Sequence, residues 1–240
     1  MKRFVATVIA LKLVLVAGFF TLFVYSQGGN QNAPVVLPTP PVFQETGNQL
    51  DRPVSDPYTG DLSIFEDGAR AKNLQIERVM DILNIKDKRS VADIGAGSGW
   101  FSVRAAKRTV TGTVYAVEIN QDYIAYINKR AKKEKFSNIK TVLGKPNDPM
   151  LPANSVDSVM LLKTYHEIAE PIALMKSVKK SLKTGGLVGI IDKNGSGDDH
   201  GLDQDKVVSE MKLAGFTLKE AYDFVKPDGM DYFLVFEVSK

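Results

Sequence analysis

Cysteine is absent from the 240 residues, which removes disulfides, thiolate-bound metals and cysteine nucleophiles in one step and leaves the redox compartment open. An excess of one charge is missing as well. The net charge is +3, but Lys2, Arg3, Lys12 and Glu45 are the charges that precede Asp51. Removing them from totals of 31 bases and 28 acids leaves +1 for the remainder, which is no electrostatic footprint for nucleic acid. Internal repeats are lacking, and proline is scarce beyond Pro57: six of the eleven fall between Gln27 and Pro57. With 44% hydrophobic and 25% charged residues, the chain can fill one sizeable core and carries no compositional mark of wholesale disorder.

What is present is segmented. After Lys2 and Arg3, an apolar run from Phe4 to Tyr25 is broken by Thr7, Lys12 and Thr21. The stretch from Leu13 to Tyr25 has the length of a signal-peptide core, with Val24-Tyr25-Ser26 as a small-residue cleavage site. The whole run reaches the roughly 20 residues of a membrane anchor if Lys12 is tolerated within it. Residues 1–26 are therefore expected to be a signal peptide or a membrane anchor. Bases before the apolar run and none after it until Arg52 place the domain on the far side of the membrane by the positive-inside rule. Residues 27–57, rich in Pro, Gly, Asn and Gln, read as a linker, and residues 58–240 as the domain.

Within the domain, Leu74, Ile76, Val79, Met80, Ile82 and Leu83 recur at helical spacing and predict an amphipathic helix of about five turns. Strands and helices then alternate. Strands are expected at Ser90–Ile94, Thr113–Val117, Ile139–Leu143, Val156–Leu162 and Gly186–Ile191. Helices are expected at Gly99–Arg108, Gln121–Lys135, Pro171–Leu182 and Asp203–Ala214. Phe216–Phe224 and Tyr232–Val238 end the chain as two consecutive strands. The alternation predicts an α/β fold, a doubly wound and mostly parallel sheet with helices on both faces, and the final pair predicts one antiparallel strand. Function should then sit in the loops after the strands, at their carboxyl ends.

The sharpest motif is Asp93-Ile94-Gly95-Ala96-Gly97-Ser98-Gly99-Trp100, between a strand and a helix. Glycines there permit a sharp turn and a close ligand. Trp100 stands where a dinucleotide fingerprint would need its third glycine, which disfavours a dehydrogenase. Asp93 instead suits a ligand bearing a cationic amino group. Glu118 ends the second strand about 20 residues later, where an acid can accept hydrogen bonds from both ribose hydroxyls.

Asp93 to Gly99 resembles motif I of the class I S-adenosylmethionine (SAM)-dependent methyltransferases, and Glu118 matches their ribose-binding acid. Leu182-Lys183-Thr184-Gly185-Gly186 is similar to their turn before strand five, and Ala214-Gly215-Phe216 to their terminal segment. The resemblance spans about Phe65 to Val238. It implies a seven-stranded sheet in the order 3-2-1-4-5-7-6 with strand seven antiparallel, and SAM as cofactor on Asp93, Gly95, Gly97, Gly99 and Glu118. The family's Gly-Asp after strand three is Gly144-Lys145 here, so Asn147 or Asp148 is expected at the adenine.

Methyl transfer needs alignment of nucleophile, methyl and sulfur, and a base where the nucleophile holds its proton. Strand four runs into Lys163-Thr164-Tyr165-His166-Glu167. His166 is the candidate catalytic base, with Tyr165 and Glu167 as orienting groups. The loop Asn194–Gly201 contains Asp198, Asp199 and His200; adjacent rather than helically spaced, they read as part of a substrate lid, and no metal site is assigned. Lys129, Arg130, Lys132, Lys133 and Lys135 read as a solvated helix face. The expected activity is methyl transfer to a small molecule, with the membrane met through the N-terminal segment and no protein partner inferable. The alternative is an exported, non-enzymatic binding module on the same fold, a reading favoured by the cytoplasmic origin of SAM.

Overall fold

A computed structural model describes residues 54–196 and 200–240. The expected signal peptide or anchor and most of the expected linker lie outside those residues. Among the described residues no helix is long and apolar enough to cross a membrane.

Seven strands form one sheet in the order β3-β2-β1-β4-β5-β7-β6. They are β1 (Val91–Ile94), β2 (Val114–Glu118), β3 (Ile139–Leu143), β4 (Val156–Leu162), β5 (Leu182–Lys193), β6 (Phe216–Tyr222) and β7 (Asp231–Val238). Pairing is parallel from β3 to β5, while β7 runs antiparallel to both β5 and β6. All four residues of β1 are buried, as expected of a central strand covered on both faces. β4 shows how the two faces divide. Val159 and Leu161 enter one core with Met175, Val178 and Met211, whereas Met160 and Leu162 enter the other with Val79, Met80 and Phe101. Period-two alternation in one strand thus feeds two cores.

The helices are α1 (Arg70–Asn73), α2 (Ile76–Ile82), α3 (Trp100–Arg108), α4 (Gln121–Lys133), α5 (Pro171–Ser181) and α6 (Gln204–Leu213). The single five-turn helix expected around Leu74 is broken into α1 and α2. Gln75, at φ 46° and ψ 48°, is the break, and its Nε2 donates to the Phe224 carbonyl at 3.1 Å. Leu74 and Ile76 are both buried. In one continuous helix residues two apart point about 200° from each other, so the break is what lets both face the core.

Two further differences follow, and the second reaches the site. β5 begins at Leu182, not Gly186, and its register against β4 shifts between Val156 and Ser158. The Lys183–Gly186 turn is thereby an irregularity inside one long strand. At the other end of the domain, Val54 to Pro57, assigned by sequence to the linker, line the central cavity. The Ser55 N–H donates to the His166 carbonyl at 3.4 Å, and Tyr123 Oη donates to the carbonyl of Tyr58 at 3.0 Å.

Candidate active site

The carboxyl ends of β1, β2 and β4 open into one cavity of about 980 Å³, at the upper end of the range for small-molecule sites. Its first wall is the loop after β1. Gly95, Gly97 and Gly99 take φ of 70°, 54° and 73°. At Gly95 the need for glycine is steric as well, because a Cβ would lie 2.3 Å from Thr164 Cγ2.

Asp93, at the end of β1, is buried and accepts from Ser102 Oγ at 2.6 Å. Burial pushes its carboxyl up to about 6, against the pull of that hydroxyl and of the Arg70 guanidinium. Glu118, at the end of β2, accepts from the N–H of Gly97 at 3.3 Å through Oε1, and from Ile119 and Asn120 at 2.8 and 3.2 Å through Oε2. Burial raises this carboxyl too, while those three N–H groups oppose it. Two acids thus face one cavity, each held away from its solvated state. A cationic group beside Asp93 and hydroxyl donors beside Glu118 would relieve them.

Arg70 was not singled out by sequence, since α1 carries no apolar periodicity to draw attention to it. Its guanidinium packs over Trp100 at 4.5 Å and lines the same wall, with Asp93 and Glu66 as opposite charges. Arg130 corrects the reading of a wholly solvated basic face. It pairs with Glu66 and Glu134 and donates to the Ser98 carbonyl at 3.0 Å, fastening the glycine loop to α4.

The loop after β3 departs from expectation. Asn147 Nδ2 donates to Glu170 at 3.2 and 3.3 Å, and Asp148 Oδ1 accepts from Met150 N–H at 2.8 Å. Neither lines the cavity; Lys145, Pro146 and Pro149 form that part of its wall. A loop capping its own backbone was not separable by sequence from one aimed at a ligand.

Beyond β4, His166 lies on the wall with 3% of its surface exposed. Its Nδ1 is 2.8 and 3.0 Å from the two carboxylate oxygens of Asp192, which is fully buried at the end of β5. A carboxylate only accepts, so the neutral ring carries its proton on Nδ1 and keeps the Nε2 lone pair. Asp192 lies one residue past the strand expected to end at Ile191, and no local pattern in the sequence ties it to His166. It also accepts from the N–H groups of His166 and Lys193, at 3.1 and 3.0 Å. Glu167 lines the cavity, whereas Tyr165 is buried in the core and does not reach it as an orienting group. Burial pushes the Glu167 carboxyl up to about 7, opposed chiefly by His166. His200 lines the cavity with its ring 5.8 Å from that of His166; Gly197, Asp198 and Asp199 lie outside the described residues.

Residues 92–190 match the family described as "Methyltransferase domain". The domain has the class I methyltransferase fold. A SAM-dependent methyltransferase from Aquifex aeolicus superposes on it with a TM-score of 0.67, over 75% of this chain and all of that one, at 21% identity. The cyclase SpnF superposes with a TM-score of 0.61, over 80% of this chain and 88% of that one, at 14% identity. At such identities the likeness is one of fold. A protein-L-isoaspartate O-methyltransferase from Pyrococcus horikoshii is 24% identical over 108 residues, 45% of this chain and 46% of that protein. The chain thus spans less than half the length of the curated relatives it matches. The methyltransferase fold also places a cyclase among its neighbours, so the chemistry of this domain must be argued from its own site.

Proposed function

We propose that this domain binds SAM and transfers its methyl group to a small-molecule acceptor in the same cavity. The observation that carries the reading is the pairing of Asp93 and Glu118 across the glycine loop, two under-solvated acids facing a space whose floor includes Gly95 and Gly97. Asp93 would take the ammonium of the methionyl end, Arg70 its carboxylate, and Glu118 the ribose hydroxyls. Lys145, Pro146 and Pro149 would flank the base. SAM supplies a methyl already activated by the sulfonium charge. The chain's own part is to hold the acceptor in line and, where the acceptor carries a proton, to remove it. In the metal-free protein that proton goes to Nε2 of His166, with Asp192 fixing the ring. A nucleotide-dependent dehydrogenase fits less well, because Trp100 fills the third-glycine position under two guanidinium groups.

Calorimetric titration of SAM, S-adenosylhomocysteine and NAD into the full chain tests the reading. The expected result is binding of the first two and not of NAD, weakened by about 1.5–3 kcal/mol in Glu118→Ala. Unchanged affinity in both Asp93→Ala and Glu118→Ala would remove the pocket from consideration. The N-terminal segment enters the same proposal as a membrane anchor or export signal that puts the domain outside the cytoplasm, supported by the distribution of Lys2, Arg3 and Lys12. Reporters active on only one side of the membrane, fused after Lys240, check it. Cytoplasmic activity with Met1 retained and the protein in the soluble fraction would rule it out.

A further inference from the structure

One cluster in the cavity holds more donors than a single proton transfer to His166 would use. His166, Glu167 and His200 each offer one ligand atom, and those atoms all lie within 4.8 Å of one another. His166 Nε2 and a Glu167 carboxylate oxygen are 3.8 Å apart. Two imidazole nitrogens and one carboxylate oxygen are a donor set for a borderline divalent cation, and zinc sites with three protein ligands of this kind keep a fourth position open. We propose that His166, Glu167 and His200 form a Zn²⁺ site on the cavity wall, with its open position turned toward the acceptor.

Three features of the fold support it. First, His166 is committed in the way that a ligand must be. Nδ1 donates to Asp192, so Nε2 is the nitrogen with a free lone pair, and a carboxylate behind the ring is the usual support of a metal-bound histidine. Second, the ligands divide between a fixed pair and an adjustable one. His166 and Glu167 follow β4 in a short 3-10 turn, and Glu167 is held there by the Tyr58 N–H. His200 is exposed, on the loop after β5. Ligands on a tetrahedral zinc stand about 3.3 Å apart at zinc–donor lengths of roughly 2.0–2.1 Å. The larger contraction, up to about 1.5 Å from the 4.8 Å limit, falls to the exposed imidazole, while the His166–Glu167 pair at 3.8 Å closes by about 0.5 Å. Third, charge is suited to the ion, since Asp192 and Glu167 together balance it while Lys163, the nearest lysine in sequence, is taken up by Asp231.

With zinc bound, His166 is a ligand and no longer the base. The ion would then do the same task by another route: an oxygen acceptor in the open position would become acidic and lose its proton to solvent, and its oxygen would take the methyl as the methyl–sulfur bond of SAM breaks and S-adenosylhomocysteine leaves. The acceptor class this selects is a hydroxyl or other oxygen donor. That use of the ion rests on the methyl-transfer reading; the ion site itself does not.

The test uses the full chain, free of affinity tags and stripped of metal, titrated with Zn²⁺ by calorimetry and with Co²⁺ by visible absorption. We expect one zinc per chain in the micromolar range or tighter, and intense four-coordinate Co²⁺ bands. His200→Ala and Glu167→Gln, both replacing side chains outside the core, should each weaken binding by about 100-fold. Asp192→Asn, which removes only the supporting carboxylate, should weaken it by about 10–100-fold. No saturable binding, or binding that persists unchanged in both His200→Ala and Glu167→Gln, would overturn the proposal. A SAM titration on the same sample keeps the two readings apart, because zinc binding without SAM binding sinks methyl transfer and leaves the ion site standing.

Discussion

At Asp93, folding and ligand binding pull in opposite directions. Its carboxyl titrates at about 6 in the fold against an ordinary 3.8, chiefly because it is buried. Since the folded value is the higher one, this group's stabilising contribution is fully present below about pH 3.8 and lost as pH rises through about 6. Above that, the ionised side chain costs the ligand-free fold on the order of 3 kcal/mol, from a shift of about two units at 1.36 kcal/mol each. A ligand ammonium reverses the balance by favouring the ionised form. SAM affinity should therefore rise with pH up to about 6 and level off above it, whereas Asp93→Asn should be flat. At pH 8 the same variant should melt higher than wild type without ligand and bind SAM worse. Wild-type and Asp93→Asn affinities that share one pH profile would remove Asp93 from the ligand site. His166 differs in kind, since its partner Asp192 acts through it. Asp192→Asn should lower turnover of an acceptor found with methyl-labelled SAM by about 10²-fold or more while leaving the SAM affinity unchanged. Equal loss in both quantities would mean that the pair only packs the wall.

Among the elements, the glycine loop makes the most exacting geometric demand. Gly95 combines φ 70° with a Cβ position 2.3 Å from Thr164 Cγ2, whereas Gly185 has φ 75° and nothing within 4 Å of its Cβ position. Gly185→Ala therefore isolates the left-handed backbone penalty, about 1–2 kcal/mol. Gly95→Ala should cost that much and a further 1–3 kcal/mol or so for overpacking against Thr164. Urea unfolding of the two variants measures the difference, and equal midpoints would show that the loop yields. The glycine loop and the strands were legible because their signals are local: period-two alternation in β4, a continuous apolar run in β1, glycines between strand and helix. What escaped the sequence is what distant residues decide. The break at Gln75 depends on burying Leu74 and Ile76 together and on a bond to Phe224. The partner of His166 lies 26 residues away on a neighbouring strand. Arg70 acquires meaning only when α1 is set against Trp100, and Val54–Pro57 look like linker because the cavity they line is built by strands distant in sequence.

For the molecule as a whole, the strand order 3-2-1-4-5-7-6 brings four loop regions to one edge of the sheet, and a ligand there touches several elements at once. The glycine loop after β1, Glu118 at the end of β2, the β3 loop and the β4 turn contribute to a single cavity, lined as well by Val54–Thr59. Binding across such a cavity should stabilise the entire fold, because an unfolded chain presents none of these groups together. At a ligand concentration of 100 times Kd the gain is about 2.7 kcal/mol. For a domain of this size about 2–4 °C accompanies each kcal/mol, so SAM or S-adenosylhomocysteine should raise the melting midpoint by roughly 5–11 °C. NAD should not, since nothing replaces the third glycine that a dinucleotide would need at Trp100. Glu118→Ala should reduce the shift at the same SAM concentration without lowering the ligand-free midpoint by a comparable amount, because the burial that raises its carboxyl offsets the bonds it accepts from Gly97, Ile119 and Asn120. A larger shift with NAD than with SAM would overturn the cofactor assignment, and no shift with any of the three would leave the fold without the ligand argued for it here.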